Sequence, residues 1–134
     1  MGAPAAREGD QIVGVDTHIV MVPAPPGPPV PTPLPHPFAG GINGGVSADV
    51  KIAGKPAAVV GSTADASPPH MPTPPGTAFQ KPPANKATIQ MGSPTVKING
   101  KAAARMGDTA MTCNDPADAP VGKVIATAMT VLIG

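Results

Sequence analysis

The segment Gly2-Ala3-Pro4-Ala5-Ala6-Arg7-Glu8-Gly9-Asp10 returns as Gly100-Lys101-Ala102-Ala103-Ala104-Arg105-Met106-Gly107-Asp108 and, more loosely, as Gly54-Lys55-Pro56-Ala57-Ala58-Val59-Val60-Gly61-Ser62. A chain that repeats itself folds by stacking or ringing equivalent units rather than by surrounding one irregular core. Two copies follow a short alternating run, Asp49-Val50-Lys51-Ile52 and Thr95-Val96-Lys97-Ile98, which has the period of a strand. The first copy has no strand ahead of it. The missing strand stands at the other end, where Thr130-Val131-Leu132-Ile133-Gly134 stops just where another copy would begin. The simplest closure pairs the C-terminal strand with the N-terminal motif, so that three units form a ring.

Composition pulls the other way. The 21 prolines and 16 glycines in 134 residues would mark a non-periodic chain as low-complexity. Charge argues against disorder, because a net charge of +1 with 13% charged residues gives no self-repulsion, and 41% apolar residues can bury something. The core must be thin, since there is no Trp or Tyr and the only aromatics are Phe38 and Phe79. Val, Ile, Ala and Met remove less area per residue from water. A single domain over 1–134 is expected, supported by a metal, a partner or both.

Nine Lys and Arg against eight Asp and Glu form no basic stripe, and base-stacking aromatics are absent, so nucleic acid is not an expected partner. The first twenty residues hold Arg7, Glu8 and Asp10 and no apolar segment of signal-peptide length. No run is long enough to span a bilayer. The chain is therefore expected to begin in the cytoplasm and to leave the cell, if it does, without a cleavable signal. The single cysteine, Cys113, permits no internal disulfide.

Short β-prone pieces occur at 11–13, 18–22, 50–52, 87–91, 95–98 and 123–133, and no stretch shows a helical period. Pro23 to Pro35 holds eight prolines in thirteen residues and Pro68 to Pro83 seven in sixteen. Proline lacks the ladder donor, so both read as extended or turn-forming insertions in the first and second repeats.

The three histidines track the repeats. His18 lies eight residues after Asp10, His70 eight after Ser62, and Cys113 five after Asp108. A pseudo-threefold axis would bring His18, His70 and Cys113 together at one end, with His36 supplied by the end of the first Pro-rich insertion. Three imidazoles and a thiolate make a tetrahedral set suited to Zn²⁺, with iron the weaker fit. Four protein ligands fill that sphere, which favours a structural metal over a catalytic one.

Gly-x-Pro-Ala-Ala-Arg-x-Gly-Asp, repeated with Thr-Val-x-Ile-x-Gly strands and joined to three His and one Cys, resembles the PAAR-repeat family. The resemblance covers essentially the whole chain. It implies an all-β, cone-shaped, pseudo-threefold fold with zinc at the apex, held by His18, His36, His70 and Cys113. It also implies a broad base that docks on a trimeric VgrG-like spike of a type VI secretion system or phage-tail-like particle, one tip per trimer. The tip would sharpen the spike for puncture, touch the target membrane transiently, be carried outward with it, and provide a place for effector proteins. With no segment before Met1 or after Gly134, a stand-alone tip or adaptor is the expectation.

The motif residues Pro4, Ala5, Ala6, Arg7, Gly9 and Asp10 recur as Pro56, Ala57, Ala58 in the second copy and Ala103, Ala104, Arg105, Gly107 and Asp108 in the third. Val59 and Ser62 replace Arg and Asp in the second copy. Glycine allows positive φ, paired alanines keep the units thin, and Arg and Asp three apart can pair. Two rival readings use the same residues: a small zinc hydrolase with Glu8 or Asp16 as base, and a Pro-rich ligand of the SH3 type. No catalysis is expected.

Overall fold

The computed structural model describes residues 2–128 and 130–134; Met1 and Met129 lie outside them. Thirteen strands run in chain order: β1 Ala3–Pro4, β2 Gln11–Val22, β3 Val30–Gly44, β4 Lys51–Ile52, β5 Lys55–Pro56, β6 Thr63–Ala66, β7 Ala78–Phe79, β8 Lys86–Ile89, β9 Lys97–Ile98, β10 Lys101–Ala102, β11 Thr109–Thr112, β12 Ala119–Ile125 and β13 Leu132–Ile133. Among the described residues there is no helix.

The repeats build three equivalent two-stranded hairpins. In β4–β5, Ile52 pairs Lys55 and Lys51 pairs Pro56; in β9–β10, Ile98 pairs Lys101 and Lys97 pairs Ala102. The strands β13 and β1 repeat this register, Ile133 against Ala3 and Leu132 against Pro4. Two hairpins turn through Ala53-Gly54 and Asn99-Gly100, all four with positive φ of 50° to 85°, the backbone of a type I′ turn. The third has the chain termini where the others have a turn.

The paired alanines lie inward of the hairpins. Ala6 N–H donates to Ala104 O at 2.9 Å, Ala104 N–H to Ala58 O at 3.0 Å, and Ala58 N–H to Ala6 O at 3.0 Å. These bonds form a closed triangle around a pseudo-threefold axis. A second set repeats it one layer out: Glu8 N–H to Pro56 O, Val60 N–H to Ala102 O and Met106 N–H to Pro4 O. Any Cβ larger than a methyl would separate these backbones, and Ala5, Ala6, Ala57, Ala58, Ala103 and Ala104 are all fully buried. The triangle divides two cores. Ala5, Ala57 and Ala103 pack with Ile52, Ile98 and Ile133 under the hairpins, whereas Ala6, Ala58 and Ala104 face Ile12, Phe38, Ile42 and Ile89.

Gly9, Gly61 and Gly107, at φ 86° to 97°, then turn the chain away from the ring. In each turn a side chain caps the backbone three residues earlier: Asp10 takes Arg7 N–H, Ser62 takes Val59 N–H and Asp108 takes Arg105 N–H. Serine accepts the same bond as aspartate, so the second copy keeps its turn. The strands beyond these turns close a six-stranded barrel in the order β12-β11-β8-β6-β3-β2, with β2 pairing back onto β12. The whole is a small closed β-barrel-like cone.

The first Pro-rich segment does not behave as the sequence suggested. Residues 11–22 form one continuous strand, and Val22 to Gln11 pair with Val30 to Gly41 without a break. Pro31, Pro33, Pro35 and Pro37 are all inside β3. They occupy alternate positions, so their missing donors all belong to the edge facing away from β2, while Thr32, Leu34, His36 and Phe38 keep the ladder. Alternation makes a paired sheet strand of what proline count marks as an extended or turn-forming insertion. The expected strand over 123–133 is likewise divided into β12 and β13, and its Met129 lies outside the described residues.

Candidate metal centre

Along β2 the burial pattern alternates, and Ile12, Asp16, His18 and Val20 are all buried. Asp16 and His18 therefore share the inward face. Across the ladder, His36 is the register partner of Asp16 and is also buried. Cys113 follows directly on β11, and His70 lies in the segment after β6. Ligand-capable atoms of Asp16, His18, His70 and Cys113 fall within 4.8 Å of one another. His36 stands beside this group, its ring centroid 5.4 Å from that of His18 and 5.8 Å from that of His70. Phe79 covers both His18 and His36, at 5.8 and 5.3 Å.

Each imidazole has one nitrogen facing an oxygen. His70 Nε2 lies 2.7 Å from Asp16 Oδ2, and His36 Nδ1 donates to Leu34 O at 2.9 Å. His18 Nδ1 faces Asp115 Oδ2 at 3.5 Å, is buried, and has no hydrogen-bond partner; its Nε2 lies 3.6 Å from Cys113 Sγ. For His36 the bond to Leu34 O fixes the tautomer, and for His70 and His18 a carboxylate faces one nitrogen, the orienting pattern common at metal-binding histidines. In this state His36 Nε2 accepts Thr73 N–H at 3.1 Å. Asp16 is itself held: Thr112 Oγ1 donates to Oδ1, Asn114 Nδ2 approaches it at 3.5 Å, and the Cys113 thiol donates to Oδ2 at 3.4 Å. Asp115 Oδ2 accepts Ile19 N–H at 2.9 Å.

Burial dominates the titrations. It pushes the Cys113 thiol up to about 11, with the Asp16 charge adding to it. It holds His18 below its ordinary value of 6.5, against the opposing pull of Asp115. A thiol and an imidazole kept neutral in a closed space, beside a carboxylate and two more imidazoles, suit a dication that can displace the thiol proton. The residues fit a metal, and the donor set of nitrogen, sulfur and carboxylate oxygen is one that zinc accepts.

The sequence reading singled out His18, His36, His70 and Cys113, and the fold collects all four at one end of the barrel. Asp16 entered only as a base in the rival hydrolase reading, not as a ligand, and Asp115, Thr112 and Asn114 not at all. One signal was available for Asp16: a carboxylate two residues before a histidine, in an alternating strand, must share its face. The ligand offsets do not follow the ring symmetry. Cys113 ends its strand at the barrel, whereas His18 and His70 lie three residues further from their turns. Glu8 belongs to the ring turn and is outside the cluster. Among the described residues, no helix is long and apolar enough to cross a membrane.

Comparison with curated proteins returned no match, and neither did comparison with solved structures. A family model described as PAAR motif matches residues 34–116, which hold the second and third copies of the repeat together with His36, His70 and Cys113. The hydrogen-bond triangle adds the first copy to the same ring. With more than half of its length matched, the chain belongs to the PAAR-motif family.

Proposed function

We propose that this chain is the tip of a contractile injection spike, seated by its hairpin end on a trimeric VgrG-like protein. The observation that carries the reading is the closed triangle of Ala6, Ala58 and Ala104 bonds, which gives one chain three equivalent arms. A single polypeptide with three like arms matches the end of a trimer, and short exposed hairpins can extend the partner's sheets by strand addition. In this reading a structural zinc is held by His18, His70 and Cys113, whose ligand atoms lie within 4.8 Å of one another and of Asp16, and by His36, whose Nε2 would exchange Thr73 N–H for the metal. Asp16 and Asp115 then act as the carboxylate partners that orient His70 and His18. The metal supplies cross-linking of four segments distant in sequence; the chain supplies donors, orientation and exclusion of water by Phe79. With four donors in place, no position is left for a reacting water, and the role is mechanical. In this account the tip travels outward with its spike, meets the target membrane briefly and carries effectors on its outer surface.

The test is the mass of the complex with a trimeric VgrG-like protein from the same genome. One chain per three spike subunits supports the reading. Absence of a complex, or one chain per subunit, contradicts it.

A further inference from the structure

Charge is distributed very unevenly along this molecule. Residues 17–48, which include the long β2–β3 hairpin, contain no Asp, Glu, Lys or Arg. The ring hairpins carry four of the seven lysines: Lys51 and Lys55 on one, Lys97 and Lys101 on another. All four are exposed. The other three lysines are occupied, Lys81 against Asp115, Lys86 against Asp65 and Lys123 on Thr109. No ring lysine takes part in an ion pair among the described residues. Of the acids nearby, Asp10 and Asp108 cap their turns and Asp49 accepts Asn99 Nδ2, while Glu8, on the turn next to Lys55, forms no ion pair with it.

The register defines the third arm. Leu132 occupies the position of Lys51 and Lys97, and Ala3 that of Lys55 and Lys101. Leu132 is 61% exposed, although it could be charged at no cost to the core. At these positions two arms carry lysines and the third carries Leu132 and Ala3; the Arg105 guanidinium that donates to Gly134 O on the third arm is paired with Asp108.

We propose that these hairpins dock on an acidic protein surface, in which each carboxylate lies beside an apolar side chain. This rests on the reading of the chain as a spike tip. Three identical partner edges must each be able to receive any arm. A carboxylate meets the lysine heads on two arms, and an apolar neighbour takes their aliphatic stems there and Leu132 on the third. Four lysines on separate hairpins, without aromatic residues among them, do not make a phosphate-tracking groove.

The experiment titrates the tip against the VgrG-like trimer of the same genome at low and high salt. Affinity is expected to fall by about tenfold or more between about 50 mM and about 500 mM NaCl. The quadruple variant Lys51→Gln, Lys55→Gln, Lys97→Gln, Lys101→Gln is expected to lose that salt dependence and most of the low-salt affinity. Leu132→Lys, which makes all three arms basic, is expected to bind more tightly at low salt, an outcome that a merely structural role for the position would not produce. Salt-independent binding left unchanged by the quadruple variant overturns the charge proposal and leaves the spike-tip reading intact. No binding of wild type at any salt overturns both. Tighter binding to a DNA duplex than to the trimer assigns the lysines to phosphate and also overturns the proposal.

Discussion

Asp16 Oδ2 stands 2.7 Å from His70 Nε2, although 54 residues separate the two in sequence. The same oxygen accepts the Cys113 thiol, and Oδ1 is held by Thr112 and Asn114. On the proposed reading, a carboxylate anchored in this way orients a ligand rather than competing for the metal. Asp16→Asn and Asp115→Asn are each expected to weaken zinc binding by about 10–100-fold while the cobalt-substituted protein keeps its four-coordinate thiolate spectrum. His36→Ala and Cys113→Ala are expected to change that spectrum. A spectrum altered by Asp16→Asn and untouched by His36→Ala would instead make Asp16 the fourth ligand.

The metal-free protein should have a stability window bounded on both sides. His18 is held below its ordinary 6.5, so the unfolded chain binds the proton more readily and stability falls as pH drops from 6.5 through the lowered folded value. Cys113 is pushed from 9.0 up to about 11, so its contribution is present below 9.0 and is lost as pH rises toward 11. Thermal midpoints of chelated protein across pH should form a plateau between these limits. At neutral pH zinc must displace the thiol proton, and calorimetry in buffers of different ionisation enthalpy should register about one proton released per metal.

The alanine triangle leaves no room for growth. Ala6→Val, Ala58→Val and Ala104→Val each place extra methyls where three backbones meet, at positions with 0% exposure. Each should cost about 1–3 kcal/mol in denaturant unfolding. The three values should be similar, because the positions are equivalent. One tolerant position would show that the ring is not symmetric in its packing.

Proline placement on β3 should serve solubility. Pro31 and Pro33 are exposed, and their alternation removes donors from the outer edge of the β2–β3 arm. Pro31→Val with Pro33→Val should fold with the same midpoint and self-associate in a concentration-dependent way, measured by light scattering. A strictly monomeric variant would remove this role.

The ring was legible in the sequence because its determinants are local. Glycine spacing, paired alanines and Val-x-Ile runs fix the hairpins, and Asn99-Gly100 is a hairpin signal in its own right. The barrel was less legible. Thr63–Ala66 and Thr109–Thr112 are only four residues long, and their pairing depends on other segments of the chain. Proline count concealed β3, because the information lay in the parity of proline positions rather than their number. His18, His36, His70 and Cys113 stand out by residue type, whereas Asp16 and the supporting Asp115, Thr112 and Asn114 do not. Asp115 reaches His18 from a loop 97 residues away, and nothing in its own neighbourhood marks it.

The central claim is that the threefold hairpin end, and not the histidine end, is the docking base. Hydrogen exchange of the tip with and without the VgrG-like trimer measures this directly. The account predicts new protection confined to 50–56, 96–102 and the paired segments 131–133 and 3–5, with exchange at 22–37 unchanged. Protection confined to 22–37, with the three hairpins unaffected, would contradict it.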